Sequence, residues 1–258
     1  MTALRKLLVC FLAGAGAGIG TGFAGMSAAA VIGPLLMTFL DIPPYHAIGI
    51  GLASDVLASL VSALTYRKHG NLDIRRSLIL MASILVMTVV GSLTASLLPE
   101  RAMGSTMEIA MIVIGLRFLL KPILTTKEQM RTVSRRRHVV QSVIGGAVIG
   151  FICGFVGAGG GMMMLFVLTS FLGYELHIAV GTSVFIMAFT ALTGSISHFV
   201  IGGMPDAGCL ALCIAFTLLW ARIAAKLANK AKTATLNRVV GCVLIGTSIV
   251  VLAVNYLL

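Results

Sequence analysis

Two glycine clusters are the residues best placed to do chemistry in this sequence. Gly22-Phe23-Ala24-Gly25-Met26-Ser27 and Gly154-Phe155-Val156-Gly157-Ala158-Gly159-Gly160-Gly161 each interrupt a long apolar run. A helix that restarts after such a break presents unpaired N–H groups and the positive end of its dipole. Glycine lets that backbone approach a ligand, and helix N-termini bind anions. Gly25, Met26, Ser27, Gly157, Gly159, Gly160 and Gly161 are therefore candidate anion-binding residues, with Ser27 as a cap or hydroxyl donor. Gly14, Gly18 and Gly22, like Gly146, Gly150 and Gly154, recur at every fourth position and read as helix-packing faces.

The remaining polar groups inside apolar runs are few. Asp55 lies near the middle of Ala47–Thr65, where a charge costs about 2.5–3.5 kcal/mol. It is a candidate proton-coupling group or, equally, a hydrogen-bonded residue joining helices. Thr182, Ser183, Thr190, Thr193, Ser195 and Ser197 make Ile178–Ile201 rich in hydroxyls, which donate to an anion or bond their own backbone. Thr182 and Ser183 join the candidate binding residues, and His198 is a candidate gate. Arg117, near a helix end, is expected to snorkel. Met162, Met163 and Met164 point in different directions on a helix and make no metal set. The five cysteines show neither metal-ligand nor disulfide spacing. With no phosphate-binding loop, no nucleophile motif and no second deep Asp, we expect no catalytic residues, no enzyme activity and no cofactor. Any work must be driven by a gradient.

The elements that position these residues are set by composition. Of 258 residues 59% are hydrophobic and 10% charged, against roughly 25% charged in soluble domains. A chain this apolar needs lipid as solvent. Apolar runs span Leu7–Leu40, Ala47–Thr65, Ser77–Leu98, Met103–Leu120, Val139–Leu172, Ile178–Ile201, Ala207–Ala221 and Val239–Leu258, most near the roughly 20 residues that cross a bilayer. No alternating strand pattern suggests a β-barrel. Lys121–His138 reads as a loop. The net charge of +11 is placed in loops as membrane topology requires, which argues against nucleic acid as a partner.

The chain repeats itself. With Gly22 laid on Gly154 and no gap allowed, Phe23, Gly25, Phe39, Leu40, Ala47, Gly49 and Gly70 meet Phe155, Gly157, Phe171, Leu172, Ala179, Gly181 and Gly202. The loops Arg67–Arg76, Lys121–Arg137 and Arg222–Arg238, with Arg117, hold every Lys and Arg except Arg5, Lys6 and Arg101. Basic loops belong in the cytoplasm. Repeat-equivalent loops differ in charge, as inverted-topology repeats require. Inversion needs an odd number of crossings per half. Leu7–Leu40 and Val139–Leu172 are also far too long for one crossing. Each is therefore expected to fold back as a broken hairpin. The expected fold is an all-α integral membrane protein, a polytopic helix bundle of two inverted-topology repeats, 1–120 and 139–258, joined by a basic cytoplasmic loop, 121–138. This arrangement leaves Arg5 and Lys6 outside, against the charge rule.

The repeated GF-x-G-x-[GS] break, the starts Ala47-Ile48-Gly49-Ile50 and Ala179-Val180-Gly181-Thr182, and the Arg67–Asp73 stretch RKHGNLD resemble the sulfite exporter TauE/SafE family. The resemblance covers nearly the whole chain. It implies a multi-pass inner-membrane transporter of a small organosulfur anion such as sulfite, sulfoacetate or another sulfonate. The first break, with Met26-Ser27-Ala28-Ala29 where the second has Ala158-Gly159-Gly160-Gly161, departs from the family's glycine-rich form. The alternatives are a channel or transporter for a carboxylate or a metal ion and, further off, an intramembrane enzyme. The expected partners are the anion and the bilayer, with a homodimer left open.

Overall fold

A computed structural model describes residues 3–95, 104–131, 134–156 and 160–257. Among them every regular element is a helix: α1 (Ala3–Ala24), α2 (Ala29–Leu40), α3 (Pro44–Lys68), α4 (Ile74–Ala95), α5 (Gly104–Leu120), α6 (Lys127–Arg131), α7 (Arg135–Val156), α8 (Gly160–Ser170), α9 (Leu176–Gly202), α10 (Ala207–Lys230) and α11 (Thr233–Leu257). Six of these are long and apolar enough to cross a membrane. Large apolar side chains such as Val86, Ile144, Ile196 and Ile249 point outward, a surface suited to lipid. The interior holds small and hydroxyl residues, including Ser54, Ser59, Thr182, Ser183 and Thr217. Ser54 and Thr217 satisfy their hydroxyls on carbonyls one turn back, at 2.8 and 2.6 Å.

Both over-long apolar segments are broken, as their length and glycines predict. α1 stops because Gly25 adopts φ +61°, a left-handed conformation that suits glycine. The Gly25 N–H then reaches the Thr21 carbonyl, the bond of an αL cap, and the Met26 N–H reaches back to the Gly20 carbonyl. The Thr21 hydroxyl ties the turn down by donating to the Met26 carbonyl at 2.8 Å. α2 and α8 also close on left-handed residues, Asp41 (φ 52°) and Gly173 (φ 67°), which are repeat mates. α3 opens on Pro44, whose missing N–H costs nothing there. α9, which opens on the repeat mate of Pro44, is capped by Glu175, which accepts from the Ile178 amide at 3.1 Å. Despite burial, bonds from His177 hold the Glu175 carboxyl below its usual range.

The helices pair in a reciprocal pattern. α1 packs along α10 and α7 along α4, while α3 meets α9 and α5 meets α11. The glycine faces make the first two contacts. An added Cβ at Gly18 would sit 2.6 Å from the Thr217 carbonyl oxygen, and one at Gly146 2.8 Å from that of Leu80. At Gly150 it would lie 2.9 Å from the Ile84 Cα and closer still to that residue's carbonyl oxygen. Gly150→Ala is therefore expected to force α7 off α4 and cost about 1–3 kcal/mol, read as a lower Tm in detergent. An unchanged Tm would show that this face is not tightly packed.

The connections sort to two ends. At one, the Asn71 amide donates to Asn229 at 2.7 Å, Lys127 donates to Asn71 at 2.7 Å and Arg76 donates to the Met130 carbonyl at 3.2 Å. All three basic loops therefore meet. At the other end Lys6 pairs with Asp206 at 2.5 Å, His46 bonds the Gly202 carbonyl at 2.7 Å, and His198 donates to the Tyr45 carbonyl at 3.1 Å. The N-terminal cation that offends the charge rule thus has a carboxylate partner. Two details differ from expectation. Lys121–His138 is not all loop, since it holds α6 and the start of α7. Arg117 does not reach for solvent but bonds the Ser170 hydroxyl and lies 4.7 Å over the Phe166 ring. Its charge complements the negative C-terminal end of α8.

Candidate functional site

The first break meets the start of α8 inside the bundle. An added Cβ at Gly161 would strike the Gly25 carbonyl oxygen and the Met187 side chain, and one at Gly25 would strike the Ser183 hydroxyl. Next to this junction is a cavity of about 420 Å³. Its floor is Ser27, Asp55, Gly160 and Gly161. Its walls come from α4 (Thr88), α7 (Cys153) and α9 (Met187, Thr190, Thr193, Ser197), and Tyr45 and His198 stand near its mouth. The mouth lies away from the basic loops. No Lys or Arg lines the cavity among the described residues.

Asp55 is fully buried. Its Oδ1 accepts from the Ser59 hydroxyl at 2.8 Å, while Oδ2 makes no hydrogen bond. The Ser27 hydroxyl and the Ala28 amide face the carboxyl group. The start of α2 therefore looks onto a carboxyl belonging to the chain itself. In the second half the position equivalent to Asp55 is Met187, beside Gly161 at the start of α8. The two helix starts are unequal: one faces an acid, the other an apolar thioether and open space.

Of the candidate residues, the cavity gathers Ser27, Gly160, Gly161, Asp55 and His198. Gly25 and Met26 belong to the left-handed turn that ends α1. Ser27 does not cap α2, whose cap position is Ala28. Thr182 and Ser183 do not line the cavity. The Thr182 hydroxyl accepts from the Asp73 amide at 3.4 Å and Ser183 donates to the Val180 carbonyl at 2.8 Å. Gly157 and Gly159 lie outside the described residues. His198, its ring 4.4 Å from that of Tyr45, sits at the mouth. Thr193 and Ser197, from the hydroxyl-rich run, reach the cavity while also bonding carbonyls of their own helix. Sequence reasoning missed Tyr45, Thr88, Cys153, Met164 and Met187 as lining residues. Met187 was accessible as the repeat mate of Asp55, whereas Thr88 is one of several hydroxyls in its run and nothing local singles it out.

Comparison with known proteins agrees with this architecture. A "Probable membrane transporter protein YunE" of Bacillus subtilis is 27% identical over 88% of this chain and 88% of its own length. A "Probable membrane transporter protein" of Haemophilus influenzae is 28% identical over 76% of this chain and 75% of its own. A third, YdhB of Bacillus subtilis, is 24% identical over 86% and 89%. No solved structure matches. The model of the family described as sulfite exporter TauE/SafE matches residues 10–251, so this multi-pass membrane protein belongs to the TauE/SafE family of membrane transporters.

Proposed function

We propose that the chain is a secondary transporter, acting as an exporter, of a small sulfur-containing anion: sulfite, sulfoacetate or another sulfonate. The observation that carries this reading is a polar-floored cavity without a cation, set against the start of α8. An anion that leaves water must recover its hydrogen bonds. The N–H groups at Gly160 and Gly161 and the Ser27 hydroxyl are the donors at hand, joined by Thr190, Thr193 and Ser197 when their hydroxyls turn from the carbonyls of their own helix. Bonds to a charged partner contribute about 1.5–3 kcal/mol each, which gives moderate affinity and tolerance of the anion's tail. An anion and an ionised Asp55 would repel within the same cavity, so the anion enters with Asp55 protonated and transport is proton-coupled. The gathering of the basic loops at one end, and of Asp41–His46, Gly202–Asp206 and Lys6 at the other, supports two inverted repeats, 1–120 and 139–258. The basic end is cytoplasmic in an inner membrane. The test is a thermal-shift series on purified protein with sulfite, sulfoacetate, sulfate, acetate and chloride. Sulfite or sulfoacetate should raise Tm, more at pH 6 than at pH 8. A shift with acetate alone, or with none of them, overturns the substrate class.

A further inference from the structure

The open cavity and the region equivalent to it in the other half differ in packing among the described residues. The cavity lies where α4 and α9 scarcely touch, whereas the equivalent pair, α10 and α3, is closely packed. Among the described residues, three buried side-chain polar atoms lack a hydrogen-bond partner: Asp55 Oδ2, Ser62 Oγ and Trp220 Nε1. All three belong to α3 or α10. Their repeat mates are Met187, Gly194 and Thr88, and each of those lines the open cavity. Burying a polar group without a partner is costly, and native interiors retain few such groups. Asp55 already lines the open cavity, but Ser62 and Trp220 do not; two such groups on one tightly packed helix pair, in register with the lining of that cavity, point to a surface that meets water in another state.

We infer that α3 and α10 separate at the basic-loop end to open a second cavity, lined by Ser59, Ser62, Tyr66, Thr217 and Trp220 and sharing Asp55 with the first. The inference rests on the transporter reading above: the two cavities are the two ends of one path. Ser59, Tyr66 and Thr217 are the repeat mates of Ala191, His198 and Leu85 in the open cavity. The second cavity would offer hydroxyl and indole N–H donors and no cation, a lining suited to the same small oxyanion. Opening it breaks two bonds that now close this end: Tyr66 donating to the Gly22 carbonyl at 2.9 Å and Asn71 donating to Asn229 at 2.7 Å. All these groups are neutral, so the closure opens without separating an ion pair.

Thiol labelling tests this without a substrate. Ser62→Cys, Thr193→Cys and, as a control in the apolar core, Ile149→Cys are made singly in the full chain. Sealed vesicles of both orientations are treated with a membrane-impermeant methanethiosulfonate, and each adduct is mapped by mass spectrometry. Thr193→Cys should react from the end opposite the basic loops. Ser62→Cys should react from the basic-loop end, at least tenfold faster than Ile149→Cys. Adding Trp220→Phe, which deletes an unpartnered donor from the closed pair, should raise Tm and slow labelling of Ser62→Cys several-fold. If Ser62→Cys reacts no faster than the control, or only from the opposite end, the second cavity does not exist. Two-sided labelling without a thermal shift by sulfite would instead keep the path and overturn the substrate.

Discussion

Gly161→Ala is expected to lower sulfite flux by about ten- to hundredfold, the equivalent of roughly 1–3 kcal/mol of overpacking. The new Cβ would meet the Gly25 backbone carbonyl oxygen and, at 2.8 Å, the Met187 sulfur. The thioether can swing aside, but the carbonyl is held by the left-handed turn at Gly25, whose N–H is bonded to Thr21. α8 must therefore retreat from its junction with the first break, and its first N–H groups move with it. The measurement is flux into proteoliposomes at matched protein content. Gly246→Ala is the control, because nothing lies within 4 Å of its added Cβ and alanine favours the helix. Wild-type flux in Gly161→Ala would mean that the start of α8 does not hold the anion.

Asp55→Asn is expected to abolish accumulation driven by a pH gradient while sparing anion exchange. The amide oxygen keeps the bond from Ser59, whose donation at 2.8 Å fixes Oδ1, so the geometry survives while the proton site is lost. The substitution also removes a group whose ionised form costs about 2.5–3.5 kcal/mol in a membrane-spanning helix. Tm should therefore be unchanged or higher. Accumulation that still responds to the gradient would reduce Asp55 to a structural residue, and loss of exchange together with accumulation would place it in anion binding instead.

Some of this was legible from local chemistry. Leu7–Leu40 and Val139–Leu172, too long for one crossing and carrying glycines at their middles, had to break. The first breaks at Gly25 through a left-handed turn, and the second gives two separate helices, α7 and α8. The regular glycine spacing fixed helix faces, because Gly14 and Gly18 must lie on one side of α1. What stayed hidden depended on contacts between distant segments. Thr182 and Thr193 lie on one stripe of α9, yet periodicity gives a face and not a depth: Thr182 meets the Asp73 amide while Thr193 meets the cavity. Lys6 looked misplaced because its partner, Asp206, lies far away in the sequence. The single short turn of α6 is too brief for any apolar rhythm to announce it. Nor could the sequence show that the Asp55 carboxyl faces the start of α2, which makes the two halves chemically unequal.

Asn71, bonded at once to Asn229 and Lys127, ties together loops that all carry positive charge. Like charges push these loops apart, and side-chain amides hold them against that pressure. Mobile ions relax the pressure: the Debye length is about 30 Å in 0.01 M salt but only about 10 Å in 0.1 M. The basic end is thus spring-loaded by its own charge, and ionic strength sets the tension of the spring.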